Sequence, residues 1–321
     1  MDLKLPSLED IKDAHRRISP FIHRTPVLKS SLINKYMGAE IFFKCENFQS
    51  VGAFKFRGAT NAVMQLSPEE SSRGVGTHSS GNHAAALAKA AAVRDIPAYI
   101  VMPETSPEVK KKAVAGYGAK IYLCRPTLDA RESKMEEVMI ETGCTFVHPY
   151  NRFDIIAGQG TAALELLEDI HGLDLVMAPV GGGGLISGTS ICAKGINPDI
   201  KVWAGEPEGA DDAYRSLQAG KIIPSVNPQT MADGLLTSLG ELTFKAVREN
   251  VDEIRLCSEE NIVKAMRLVW ERMKIIIEPS SAVPLGALIQ NPGGWEGKRI
   301  GIIISGGNVE LSDLPFKPSD I

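Results

Sequence analysis

Lys55 lies in the stretch Gly52-Ala53-Phe54-Lys55-Phe56-Arg57-Gly58-Ala59, between two phenylalanines and close to glycines. A lysine held in a partly buried slot favours its neutral amine, and a neutral amine at pH 7 is a Schiff-base nucleophile and a proton carrier. A solvated lysine with a pKa of about 10.4 does neither well. Taken alone, the stretch reads equally as a solvated lysine beside a glycine-shaped turn. The chemical reading therefore requires a phosphate site, a partner for a cofactor ring and a second proton carrier elsewhere in the chain.

Val180 is followed by Gly181, Gly182, Gly183 and Gly184 and then by a helical pattern. A strand, a loop without side chains and a helix N-terminus present free backbone N–H groups that hold a phosphate. Four glycines in a row carry a large entropy cost, which close approach of the backbone to a ligand explains better than a flexible turn does. The dinucleotide spacing Gly-x-Gly-x-x-Gly fails, because Ser187 stands where the third glycine belongs. Glu206 does lie at about the distance of a ribose-binding carboxylate, so a nicotinamide enzyme stays open as an alternative. A second loop, Thr77-His78-Ser79-Ser80-Gly81-Asn82-His83, joins a strand to a helix and carries hydroxyls, an amide and backbone donors suited to a substrate carboxylate. In a third, Ile304-Ser305-Gly306-Gly307-Asn308, the serine hydroxyl suits a ring nitrogen, with a plain turn as the alternative.

The elements that must position these loops follow from the patterning. Ser7-Leu8-Glu9-Asp10 opens a helix, a strand over 41–44 precedes the lysine loop, and a helix over 57–66 follows it. Ser67-Pro68-Glu69-Glu70 has the spacing of a capping box with proline in the first turn. Strands at 74–79, 98–102, 120–124 and 145–148 then alternate with helices at 82–93, 107–117 and 128–141, which implies parallel βαβ units. This pattern predicts an α/β protein in which a smaller open domain, 74–149, is inserted in a larger one formed by 1–73 and 150–321. In the larger domain a helix at 160–170, a strand at 173–180, the glycine loop and a helix at 185–195 are followed by strands at 201–205, 253–256 and 299–305. Ile262, Met266, Val269, Trp270 and Met273 have the spacing of a buried helix face, and the residues after 311 read as a short surface extension.

Composition agrees with two domains, since 321 residues, 44% of them hydrophobic, exceed what one core usually fills. A net charge of -4 without a basic stripe points away from nucleic acid polymers and anionic membranes and toward a small-molecule partner. Cys45, Cys124, Cys144, Cys192 and Cys257 lie far apart, with no Cys-x-x-Cys spacing, which argues against a disulfide framework or zinc site and fits a reducing cytoplasm. No apolar run reaches the roughly 18 residues of a membrane span, so a soluble, unprocessed protein is expected.

Taken in order, Glu46-Asn47-Phe48-Gln49 with the Lys55 stretch, Ser79-Ser80-Gly81-Asn82-His83, Ala157-Gly158-Gln159-Gly160-Thr161, the four glycines, Ala232-Asp233-Gly234, Glu278-Pro279-Ser280 and Ser305-Gly306-Gly307-Asn308 resemble the fold-type-II pyridoxal phosphate enzymes, the tryptophan-synthase-β-like group. Within that group the chain is similar, over nearly its whole length, to the serine racemase and serine/threonine dehydratase family. The resemblance implies two open α/β domains with pyridoxal 5'-phosphate in the cleft between them. By it, Lys55 carries the cofactor with Phe54 beside it, Asn82 meets the ring hydroxyl, the four glycines hold the phosphate, Gly234 and Glu278 border the ring, and Ser305 faces the pyridine nitrogen. Ser79, Ser80, Gly81, Asn82 and His83 would receive the substrate.

Dehydratases of the threonine deaminase type usually carry Ser-Ala-Gly-Asn-His in this loop. Ser80 instead resembles the racemases, in which the second serine is the acid/base opposite the lysine. His78, Arg131 and Thr237 are candidate contacts to the β-substituent. Glu206, the Ala210 carbonyl and Asp212, with waters, would suit Mg²⁺, Ca²⁺ or Mn²⁺, against the simpler reading of an acidic surface loop. The activity implied is serine racemisation with dehydration of L-serine and L-threonine. A threo-3-hydroxyaspartate dehydratase, a catabolic threonine dehydratase and, from another class, a non-catalytic small-molecule binding protein are the alternatives. A homodimer and a nucleotide effector are further implications, whereas the short stretch after Ser305 makes a C-terminal regulatory domain and isoleucine feedback unexpected. Two positions depart from the family pattern: Ala53 stands where serine is frequent, and Ser281 where glycine or alanine is commoner.

Overall fold

A computed structural model of the chain describes residues 3–316. The extension expected after Leu311 continues into 317–321, outside the described residues. Among the described residues, ten strands form two sheets. Val27–Leu28 (β1), Glu40–Cys45 (β2), Leu175–Pro179 (β7), Lys201–Pro207 (β8), Glu253–Cys257 (β9) and Arg299–Ile304 (β10) make a six-stranded sheet in the order β1-β2-β10-β7-β8-β9. Val75–His78 (β3), Ala98–Pro103 (β4), Lys120–Cys124 (β5) and Thr145–Phe146 (β6) make a four-stranded sheet in the order β5-β4-β3-β6. Every pairing is parallel except β1 with β2. Helices cover the sheets, which is why β7 and most of β10 read as unbroken apolar runs rather than alternating ones.

The largest difference from the sequence reading is a helix that begins at Phe153 rather than at 160 and runs to Asp169. Gly158 and Gly160 suggest a break, yet both lie inside the helix because neighbouring backbones pass too close for side chains. A Cβ on Gly158 would sit 2.6 Å from the Gly58 Cα, and one on Gly188 would sit 2.5 Å from the Gly160 nitrogen. Phe153–Asp169 thus receives, in near backbone contact, both the Lys55–Met64 helix and the Gly184–Ile196 helix. One buried element thereby sets the spacing between the lysine and the glycine loop.

The chain also forms helices that the patterning left unassigned, among them Ser31–Met37, Asp212–Ala219, Glu241–Asn250 and Pro279–Gln290. In the last, Pro279 occupies the first turn, where a missing N–H costs little, but Pro284 lies inside it and hides the helical signal. Among the described residues the five cysteines are free and buried, and no helix is long and apolar enough to cross a membrane.

Candidate active site

Residues some 250 positions apart meet because the lysine loop is stitched to the end of β10. Ala53 and Gly306 form an isolated antiparallel bridge, Phe54 N donates to Ser305 O at 2.9 Å, and Gly307 N donates to Gly52 O at 2.9 Å. Lys55 is the first residue of its helix, and its Nζ donates to Pro149 O at 2.9 Å and lies 5.2 Å from the Phe54 ring centroid. Lys55 lines a cavity of about 400 Å³. Burial pushes its pKa down to about 8, against the pull of the Glu278 carboxylate.

That cavity brings together Phe54, Lys55, His78, Ser79, Ser80, Gly81, Asn82, His83, Arg131, Gly181, Gly182, Gly183, Gly184, Gly234, Thr237, Glu278 and Ser305. A larger cavity of about 650 Å³ adjoins it, sharing Asn82 and Asn308, but holds neither the lysine nor the glycine loop. The glycine loop is a cradle that side chains would fill: a Cβ on Gly182 would lie 2.4 Å from the Tyr150 ring, and one on Gly181 would lie 2.7 Å from the Leu235 Cα. Gly183 has φ +86°, a conformation that favours glycine, and the 13-residue Gly184–Ile196 helix starts at the cavity. A loop of bare N–H groups at a helix N-terminus beside a depressed lysine fits a phosphorylated aldehyde cofactor, with the phosphate on the loop and the carbonyl at Lys55.

The Ser79–Ser80–Gly81 loop follows β3 and leads into the Asn82–Val93 helix. Asn82 Nδ2 donates to both oxygens of Glu278, at 3.1 and 3.2 Å, and Asn308 N donates to Glu278 Oε2 at 3.1 Å. Burial, assisted by Asp233, pushes the Glu278 carboxyl up to about 7. His83 Nε2 bonds the Val147 carbonyl at 3.1 Å, and burial drives its pKa down to about 3.

The sequence reading missed His148, Pro149 and Tyr150, which cross between the two sheets and form one wall of the cavity. The His148 Nδ1 accepts from Tyr150 N at 3.2 Å and Asn151 N at 2.9 Å, and burial, with His78 and Lys55 nearby, lowers its pKa to about 4. Their position just past the carboxyl end of β6 was the available signal, since open α/β sheets bind ligands there.

Glu206, Ala210 and Asp212 lie outside the cavity, at the end of β8 and the start of the Asp212–Ala219 helix. The Glu206 carboxylate accepts from Ala213 N and Tyr214 N, both at 2.7 Å, and burial still pushes its pKa up to about 9. Asp212 is 1% exposed, and neither of its oxygens closes a hydrogen bond of good geometry; burial raises it to about 6, with the Ser225 hydroxyl opposing. Two buried carboxylates, one of them with no hydrogen bond of good geometry, fit a hard cation, although no group of three or more metal-ligating side chains occurs among the described residues.

Residues 18–306 match the pyridoxal-phosphate dependent enzyme family, and the chain belongs to it. Among its relatives, a serine racemase of Dictyostelium discoideum is 53% identical over 312 residues, covering 96% of each chain. A beta-hydroxyaspartate dehydratase of Paracoccus denitrificans is 52% identical over 97% of this chain and 99% of its own. The crystal structure of the Dictyostelium serine racemase superposes with a TM-score of 0.92 over 95% of this chain and 99% of that one.

An amine near pKa 8 loads with aldehyde faster as it deprotonates. The rate at which apo protein takes up pyridoxal phosphate, followed by the Schiff-base absorbance band, is expected to climb through a midpoint near pH 8. Because Glu278 raises the Lys55 pKa, Glu278→Gln should move that midpoint downward; a midpoint near 10 in both proteins would contradict the burial of Lys55.

Proposed function

We propose that the protein racemises serine with pyridoxal phosphate and also dehydrates L-serine and L-threonine to the keto acid and ammonia. The observation that carries this is the presence of Lys55, at the start of its helix, and Ser80, on the loop after β3, in the walls of one cavity that also holds the glycine cradle. When bound, the cofactor supplies an electron sink for the charge left at Cα on proton removal. Lys55, near neutrality in its pKa, removes and returns the proton on one face. The Ser79–Ser80–Gly81 loop and the start of the Asn82–Val93 helix receive the substrate carboxylate, which orients Cα between Lys55 and the Ser80 hydroxyl. Ser80 holds the proton for the other face. Elimination needs only the Lys55 face, because the proton that Lys55 takes from Cα can leave with the β-hydroxyl as water, so one site supports both outcomes.

Ser80→Ala should lower racemisation and D-serine turnover by about 10²–10⁴-fold, the usual worth of a positioned acid or base, with L-serine elimination at least partly kept. Enantiomer and keto acid assays on L- and D-serine read both; equal loss from both enantiomers would sink the two-face assignment. A second reading, a 3-hydroxyaspartate dehydratase, is favoured by Arg131: it lines the cavity next to His78 and has no carboxylate partner among the described residues, only a 3.4 Å contact to Thr127 O. In the same assay that reading requires a lower KM for L-threo-3-hydroxyaspartate than for serine, an advantage lost in Arg131→Gln.

The proposal extends to a divalent cation, Mg²⁺, Ca²⁺ or Mn²⁺, held by Glu206, the Ala210 carbonyl and Asp212, and to a homodimeric, nucleotide-responsive assembly. Since Glu206 and Asp212 must ionise to bind the cation and burial raises both, Mg²⁺ affinity should increase with pH between about 6 and 9, with protons released on binding. Calorimetry that shows pH-independent binding, or binding unchanged in Asp212→Asn, would remove the site.

A further inference from the structure

Five residues line both cavities: Gly81, Asn82, Lys110, Asp233 and Asn308. They form the wall between the two, and that wall is thin. Gly81 contributes no side chain, and a Cβ built on it meets nothing within 4 Å. The other four make two pairs, each reaching from the side of the four-stranded sheet to the side of the six-stranded one. Asn308 Nδ2 donates to Asn82 Oδ1 at 2.9 Å. Lys110 Nζ, on the Glu108–Gly116 helix between β4 and β5, lies 3.0 Å from Asp233 Oδ2, on the Asp233–Leu235 turn between β8 and β9.

The two pairs differ in how firmly they are held. Asn82 is bonded to both oxygens of the buried Glu278, and Asn308 to Glu278 Oε2 and Val51 O, so opening that pair breaks a network. Lys110 and Asp233 bond through their side chains only to each other among the described residues, and those side chains are 38% and 59% exposed. An exposed ion pair adds little stability, so it opens and recloses at low cost. The movable part of the wall is therefore the ion pair.

We propose that Lys110 is a positioning residue: paired with Asp233, it latches the two sides of the site together over a bound amino acid and slows the amino acid's escape. This rests on the reading that the smaller cavity receives the amino acid. Leu128 and Leu236 line that cavity from the same two sides and are 54% and 36% exposed, so drawing the sides together also takes apolar surface out of water. The latch acts by raising the fraction of the closed form, and apparent affinity follows that fraction. Its loss weakens binding and leaves the chemical step inside the closed site as it was, so KM rises while kcat holds. Salt weakens the pair because it is exposed, whereas serine and glycine are zwitterions without net charge and offer little long-range attraction to screen.

The test is a double-mutant cycle read by binding. Glycine has no β-substituent to lose, and its Kd for the protein loaded with pyridoxal phosphate follows from the absorbance change on titration. Wild type, Lys110→Met, Asp233→Asn and the double variant are compared well above pH 7, the value near which Glu278 titrates, because behind burial both charges also act on that carboxyl, Asp233 raising it and Lys110 lowering it. Lys110→Met is expected to raise the Kd by about two- to fivefold, the worth of an exposed pair, and to have no further effect once position 233 carries Asn. The KM for L-serine should move with the Kd at constant kcat. Raising salt from about 0.05 to about 0.5 M should weaken wild-type binding toward the Lys110→Met value and leave that variant nearly unmoved. Lys110→Arg keeps the charge and should bind as the wild type does. An unchanged Kd in Lys110→Met, the same change in both backgrounds, or Lys110→Arg weakened as much as Lys110→Met overturns the latch. A wild type that binds no glycine overturns the reading of the site, and the latch with it.

Discussion

Two residues past Lys55, the guanidinium of Arg57 is fully buried and bonded on every side. Its Nε and Nη2 reach Glu46 at 2.7 and 2.9 Å, its Nη1 and Nη2 reach Glu165 at 2.8 Å each, and Lys44 joins the cluster through Glu165 at 2.6 Å. The four side chains are 0% exposed and balance two positive against two negative charges. Burial alone would raise the Glu165 carboxyl, yet the bonds from Arg57 and Lys44 hold it below its ordinary value. Removing one member of such a pair typically costs about 3–5 kcal/mol, because an uncompensated charge stays behind. The cluster ties β2, the Lys55–Met64 helix and the Phe153–Asp169 helix into one unit, so the orientation of Lys55 is set by charges that never meet the substrate.

From that fixed point the site assembles by close backbone approach. The Gly58–Gly158 and Gly160–Gly188 contacts draw the lysine helix and the helix after the glycine loop onto one central helix, while the Ala53–Gly306 bridge draws in the end of β10. The four-stranded sheet contributes the Ser80 loop at the end of β3 and the His148–Tyr150 crossing after β6. Lys55 is tied to that crossing through Pro149 O, and Tyr150 packs against the glycine loop, so the same few residues contact the lysine and the glycine cradle. Burial then supplies the chemistry by lowering the Lys55 amine and keeping His83 and His148 neutral.

What was legible in the sequence was local. The Asn82–Val93 helix and the Lys120–Cys124 strand match the patterning to the residue, because their periodicity and their boundaries lie within a short window. The glycine loop was visible for the same reason, as four consecutive residues that close backbone approach explains better than a flexible turn does. The Phe153–Asp169 helix was cut short because Gly158 and Gly160 carry a helix-breaking signal whose compensation comes from glycines on other helices. The ion cluster was invisible as such: Lys44 and Glu165 are 121 residues apart, and only the fold makes them partners. His148 gave no motif, and its locked ring depends on backbone N–H groups two and three residues on.

The central claim is that Lys55 and Ser80 act on opposite faces of one Cα. The most direct measurement follows L-serine in D₂O by mass spectrometry at low conversion, comparing the D-serine formed with the L-serine that remains. Two carriers on opposite faces predict D-serine with solvent deuterium at Cα, beside L-serine still largely protiated. D-serine that keeps the original proton would mean that one group carries it across, which contradicts the account.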